Sequence, residues 1–202
     1  MILKFLYFIA LALSLSACAP AKSVGVETAQ AALLAAWQAD QHIAWELDWP
    51  DAPMGGPLTV ATWRAGSRYR LEILEAVAPD LVGQTLIFDG TTAWRYRRFD
   101  SPPAAPQPTE ARLSPVTDAF AIITGLLAAT PASATEEPVQ VGRAPAQKIT
   151  LTFTGGDTLA VWRDEATGLP VRLSFVSGRQ QATLRARSFE LLSTPAEGLF
   201  EP

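Results

Sequence analysis

From residue 43 almost to the C-terminus, apolar residues of this chain keep returning at every second position, and that period limits what it can fold into. Ile43, Trp45, Leu47 and Trp49 alternate with His42, Ala44, Glu46 and Asp48. Successive side chains of a strand point to opposite faces, so this spacing predicts a half-buried strand. The pattern recurs at 58–63 and 69–74 around Ala65-Gly66-Ser67, and at 85–89 and 92–99 around Gly90, where Asp89-Gly90 is a strong hairpin signal. It recurs again at 148–153, 159–163, 171–175 and 182–192, with turns at Gly155-Gly156-Asp157 and at 166–170. About eight antiparallel strands joined by tight turns are expected, and a sheet of that size with one apolar face curls towards a barrel or half-barrel.

Two stretches break the period. Residues 26–39 read as a helix: the alanines are strong helix formers, Thr28 is placed to cap the start, and Leu33, Leu34 and Trp37 form one stripe. A second helix is expected from Pro115, with Ser114 or Asp118 serving its first amides and Phe120, Ile122, Ile123, Leu126 and Leu127 following. It is apolar around much of its girth and so must be buried on more than one side. Gly125 in its middle costs roughly 1 kcal/mol relative to alanine, which points to close packing or to mobility. The proline-rich stretches 101–108 and 131–138 read as hinges or linkers.

The N-terminus sets the compartment. Lys4 precedes an apolar run, and Leu15-Ser16-Ala17-Cys18 ends it with the chain's single cysteine. A positive start, an apolar centre and small residues before the cleavage point are the parts of a signal peptide. The same pattern resembles the lipobox of bacterial lipoproteins, which implies acylation of Cys18 and cleavage before it. The expected organisation is a signal peptide at 1–17, a tether at 18–25 and one domain at 26–202. Two or three acyl chains anchor a protein stably where one does so marginally. No other stretch reaches the length that spans a bilayer. Loss of Lys4 with the signal leaves 15 basic against 20 acidic residues, which argues against nucleic acid as a partner. Apolar residues make up 49% and charged residues 18%, as suits a single packed domain without disulfide staples.

Catalytic machinery is hard to assemble from these residues. His42, the chain's single histidine, lies on the wet side of its strand, and the single cysteine is assigned to acylation, so neither a Ser-His-Asp nor a Cys-His set has its parts. Asp89, Asp164 and Glu165 fall in turns, where solvated acids are the default. A non-enzymatic protein is expected, with no cofactor and no metal site.

Three segments carry a family resemblance: Trp63-Arg64-Ala65-Gly66-Ser67-Arg68-Tyr69-Arg70-Leu71-Glu72, Ile87-Phe88-Asp89-Gly90-Thr91-Thr92-Ala93-Trp94-Arg95-Tyr96, and Ala160-Val161-Trp162-Arg163 with Thr167-Gly168-Leu169-Pro170-Val171-Arg172-Leu173. Together with the lipobox they resemble the outer-membrane lipoprotein carrier and sorting superfamily, the LolA/LolB-like proteins. The resemblance implies an α+β fold: a curved antiparallel sheet forming an incomplete β-barrel, with helices plugging an apolar cavity that takes acyl chains. It further implies a lipid or acylated-protein ligand, a role in lipoprotein sorting or lipid transport, and a lipid-anchored place in the cell envelope. Where there are two membranes, that place is the periplasmic face of the outer membrane. A monomer is expected. The cavity is expected to be lined by Ile73, Phe88, Trp94, Tyr96, Phe120, Ile122 and Leu126. The family's helix-latching arginine has three candidates, Arg64, Arg68 and Arg70, and its protruding apolar loop residue has a counterpart in Met54. The alternative is a non-catalytic envelope interaction or stress-sensing protein that uses the same fold to recognise a protein partner, with Arg95, Arg97, Arg98, Arg185 and Arg187 as a basic strip on the outer face.

Overall fold

A computed structural model describes residues 21–52, 56–98, 107–109 and 113–202; Cys18, Met54 and the signal segment lie outside these. The chain forms one antiparallel sheet that does not close on itself. Its first half runs through β1 (Lys22–Ser23), β2 (Gln41–Asp48), β3 (Leu58–Ala65), β4 (Arg68–Glu75), β5 (Gln84–Phe88), β6 (Ala93–Arg97) and β7 (Gln107–Thr109). The second half runs through β8 (Ser133–Val141), β9 (Ala144–Thr152), β10 (Thr158–Asp164), β11 (Pro170–Ser177) and β12 (Gln180–Leu191). Helix α1 (Val26–Gln38) precedes β2, and helix α2 (Val116–Ala128) joins the halves. The strand order is β1-β8-β9-β10-β11-β12-β2-β3-β4-β5-β6-β7. The incomplete barrel with covering helices is therefore the fold.

Twelve strands form, three beyond the alternating runs. The additional ones lie in segments read as tether, loop and linker. β1 and β7 are two and three residues long and pair only at the sheet's edges. β8 crosses the expected linker; Ala134 is its buried residue, and it carries Pro138. A strand with so little apolar alternation gives no period-2 signal, and proline argues against a strand wherever a ladder amide is needed.

The core lies between the sheet's inner face and the helices. Ile43, Trp45 and Leu47 of β2 are at most 1% exposed and meet Val60, Ile73, Leu151, Phe175 and Leu184, as their alternation required. α1 contributes Ala29, Leu33, Ala36 and Trp37. No side chain caps its start, so Thr28 does not serve there. Nor does one bond the end of α2 at Pro115; Ser114 instead donates to Asp118 across 2.6 Å. Among the described residues no helix is long and apolar enough to cross a membrane.

Candidate functional site

Three consecutive rows of side chains cross β2, β3 and β4 on the inner face, and they differ in how completely the helices cover them. The floor row is Trp45, Val60 and Ile73, paired directly across the strands. All three are at most 1% exposed. The middle row is Ile43, Thr62, Leu71 and Leu86, and the rim row is Gln41, Arg64, Tyr69 and Phe88. Polarity and exposure thus rise together along strands that share one face.

The helices explain the gradient. Val116, Ala119, Ile123, Leu126 and Leu127 of α2 are buried in the core. A different side, Thr117, Phe120, Ala121 and Thr124 at helical i, i+3, i+4, i+7 spacing, faces a cavity of about 480 Å³. That volume falls within the roughly 300–1,000 Å³ of small-molecule sites. Trp37, Gln41, Trp45, Thr62, Trp63, Arg64, Tyr69 and Leu71 supply the rest of its wall. A second side of α2, with Phe120 and Ala121 between two threonines, is thus turned to a hollow. An added Cβ at Gly125 would meet nothing within 4 Å, so close packing is not the reason for that glycine.

Hydrogen bonds hold the two helices in place. The Trp37 indole donates to Thr124 Oγ1 at 3.2 Å and meets Phe120 edge-on, ring centres 5.5 Å apart. The Gln30 amide donates to the Leu127 and Ala129 carbonyls at the end of α2, each at 2.7 Å. At the end of α1, the Trp37 carbonyl accepts from Arg64 Nη1 at 3.1 Å and from Gln41 Nε2 at 3.2 Å. The last carbonyls of a helix have no partner within it and carry the negative end of its dipole, so a cation there is favourable.

Among the three latch candidates, Arg64 is therefore the one whose bond to a helix is seen. Arg68 lies over the Phe200 ring, 5.0 Å from its centre, and Arg70 over Trp63, at 5.6 Å, while also bonding Glu72. Both share the outer face with the C-terminal residues Leu199 and Phe200, which pack on Ala65 and Ile87. Burial lowers the Arg64 pKa from its ordinary value, against smaller opposing effects of Asp40 and Tyr69, and burial raises that of the Tyr69 phenol.

The residues expected to line the cavity scatter. Phe120 lines it. Phe88 stands one strand beyond the wall, stacked on Tyr69 at 5.2 Å. Ile73 is wholly buried in the floor, and Ile122 and Leu126 pack into the core. Trp94 and Tyr96 are on the other side of the sheet, because Trp94 pairs with Ile87 and Tyr96 with Thr85, both outer-face positions. The inward positions of β6 belong to Ala93, Arg95 and Arg97. Alternation groups Trp94 and Tyr96 on one apolar face, and register turns that face outward. The same parity, counted from Val60 to Thr62 to Arg64, would have found the arginine of the cavity.

The basic strip does not form. Arg185 and Arg187 pair with Glu46 at 3.6 and 3.1 Å, Arg187 also with Glu75 at 2.6 Å, and Arg98 with Glu72 at 2.9 Å. Arg97 donates to the Val82 and Pro79 carbonyls. Asp89 and Asp164 serve their own turns, accepting from Thr91 and Thr92 and from Thr167 at 2.8 Å.

No protein-family model matches the chain, and no curated protein is detectably similar in sequence. Solved structures share its fold. An uncharacterised conserved protein of Thermus thermophilus matches with TM-score 0.54 and 15% identity over 87% of this chain and 93% of its own. MucB matches with TM-score 0.56 and 15% identity over 88% of this chain, which spans 62% of MucB. The Mycobacterium tuberculosis lipoprotein LppX matches with TM-score 0.50 and 14% identity over 82% of this chain and 96% of its own. A LolA superfamily protein and a lipoprotein-sorting domain are also among the matching structures.

Proposed function

We propose that this chain is a non-catalytic envelope lipoprotein, anchored through Cys18, that holds an acyl chain of a lipid or lipoprotein in the cavity under α2, in lipoprotein sorting or lipid transport. The observation that carries the reading is the hollow itself: about 480 Å³ walled by Trp37, Trp45, Tyr69, Leu71 and Phe120. Burying apolar surface stabilises a complex by about 25 cal/mol per Å², so an acyl chain needs no catalytic group to be retained. If a methylene takes about 30 Å³, the share of a water molecule in the liquid, the cavity has room for one long chain. The hydrogen bonds at both helix ends give the cover a defined closed position. Native mass spectrometry of protein purified without delipidation tests the reading. Adducts of lipid mass that vanish on delipidation are expected, and binding of neither native lipid nor a fluorescent fatty acid would end it. Labelled palmitate should enter the chain and be lost in Cys18→Ala.

A second reading, recognition of a protein partner, draws on MucB, whose structure in complex with MucA has this fold at TM-score 0.51 and 16% identity. A partner captured equally by native and delipidated protein would favour it.

A further inference from the structure

The Arg64 guanidinium is not fully used by the bond to α1. Nη1 serves the Trp37 carbonyl, while Nε is buried without a hydrogen-bond partner. Among the described residues no carboxylate pairs with Arg64; Asp40, which acts on it through space, is engaged by the Gly66 amide at 2.7 Å. Arg70, Arg163 and Arg172 share the unpartnered Nε, with Arg70 and Arg172 lying on the faces of Trp63 and Trp162, but none of the three lines the cavity. Arg64 instead lines the cavity. A cation turned into a mostly apolar hollow is costly unless something pairs with it.

Nη2 takes no part in the bond to Trp37, and its N–H groups are charge-assisted donors suited to a carboxylate oxygen. Gln41 stands directly opposite on β2 and is 6% exposed. Its Nε2 is committed to the Trp37 carbonyl, so its Oε1 points elsewhere and has no partner. Five N–H groups suffice for the Trp37 carbonyl, for Gln41 Oε1 and for a carboxylate. Tyr69, paired with Arg64 on the other side, is a phenol and so protonated at neutral pH, and offers a further donor.

We propose, building on the acyl-chain reading above, that the cavity takes a single long-chain carboxylate, its head on Nη2 of Arg64 and its chain along Trp37, Trp45, Leu71 and Phe120. Diacyl lipids and neutral esters fit less well: the first by volume, the second because they leave the guanidinium without an anion.

Titration of the purified full chain at pH 8 with laurate, methyl laurate, dodecanol and dodecyl phosphate, followed by tryptophan fluorescence, tests this. Laurate is expected to bind about tenfold or more tightly than the ester or alcohol, as a charge-assisted hydrogen bond provides. In Arg64→Gln the acid-to-ester ratio falls to about one. Equal binding of acid and ester by the unaltered chain overturns the carboxylate assignment and leaves the acyl-chain reading standing. Tighter binding of dodecyl phosphate than of laurate also overturns it. Binding of none of the four removes both. The acid-to-ester ratio needs no variant, so a misfolded Arg64→Gln does not blunt the test.

Discussion

The floor and rim rows of the same three strands differ in what they do with apolar surface. Val60 and Ile73 are sealed in the core and contribute to stability, while Trp45 of the same row, though 1% exposed, also forms part of the cavity wall. Gln41, Arg64 and Tyr69, at the cavity end of the same strands, hold polar groups beside a hollow. A fully packed row is constrained by volume, since removing buried methylenes leaves a void. A row at a cavity is constrained by shape and hydrogen-bonding capacity, and here it retains the unsatisfied Gln41 Oε1 and Arg64 Nε. In this sheet, stability and binding therefore occupy neighbouring layers of one surface.

The largest expected effect separates those layers. Ile73→Ala should cost about 2–5 kcal/mol, as a large-to-small change at a closed site does, whereas Tyr69→Ala should cost about 1–2 kcal/mol, mainly its stack with Phe88. Urea unfolding of both variants checks this, and equal losses would remove the distinction. A smaller effect is expected from Arg64→Met. Replacing a partly buried, unpaired charge with an apolar side chain is often neutral or stabilising, and Gln41 still serves the Trp37 carbonyl. Its stability should stay within about 1 kcal/mol of the parent; a loss of several would make Arg64 chiefly a structural latch.

The pH response provides the finest comparison. Outside the cavity, the Thr59 hydroxyl, then Arg187, hold the Glu75 carboxyl below its usual range, and the Thr92 and Thr91 amides do the same for Asp89. Groups with depressed values contribute stability above their unfolded pKa and lose it as pH falls through the folded one. Acid destabilisation should therefore begin below about pH 4, and Asp89→Asn should flatten it. Within the cavity, the raised Tyr69 pKa means that the folded state holds its proton more tightly, so stability declines as pH rises above the ordinary phenol value. Tyr69→Phe should flatten that alkaline limb alone. Unfolding midpoints across pH measure both limbs.

Much of the fold was legible because its signals are local. Period-2 runs located the long strands other than β8, Asp89-Gly90 and Gly66 located hairpins, and the helical stripes at 26–39 and after Pro115 located both helices. The short edge strands were not legible, because β1 and β7 are two and three residues long and depend on a neighbour's ladder. Within the site, Phe120 was found from its helical stripe. Trp94 and Tyr96 were misplaced because hydrophobicity suggests which residues share a face, whereas the partner strand decides which face that is. Arg64 was seen as a candidate latch, and its inward direction follows from its parity with the buried Val60, which the sequence reading did not apply.

The sequence by itself determined the strands, the helices and the alternation of faces, because Cβ direction reverses at each residue of an extended chain and repeats about every 3.6 in a helix. Which part of the inner face would be packed and which left hollow was decided by the tertiary structure. That outcome depends on how α1 and α2, 87 residues apart at the Trp37–Thr124 bond, settle over rows assembled from strands distant in the chain. The lengths of those helices, and the carbonyl that Arg64 reaches, set where the cover ends.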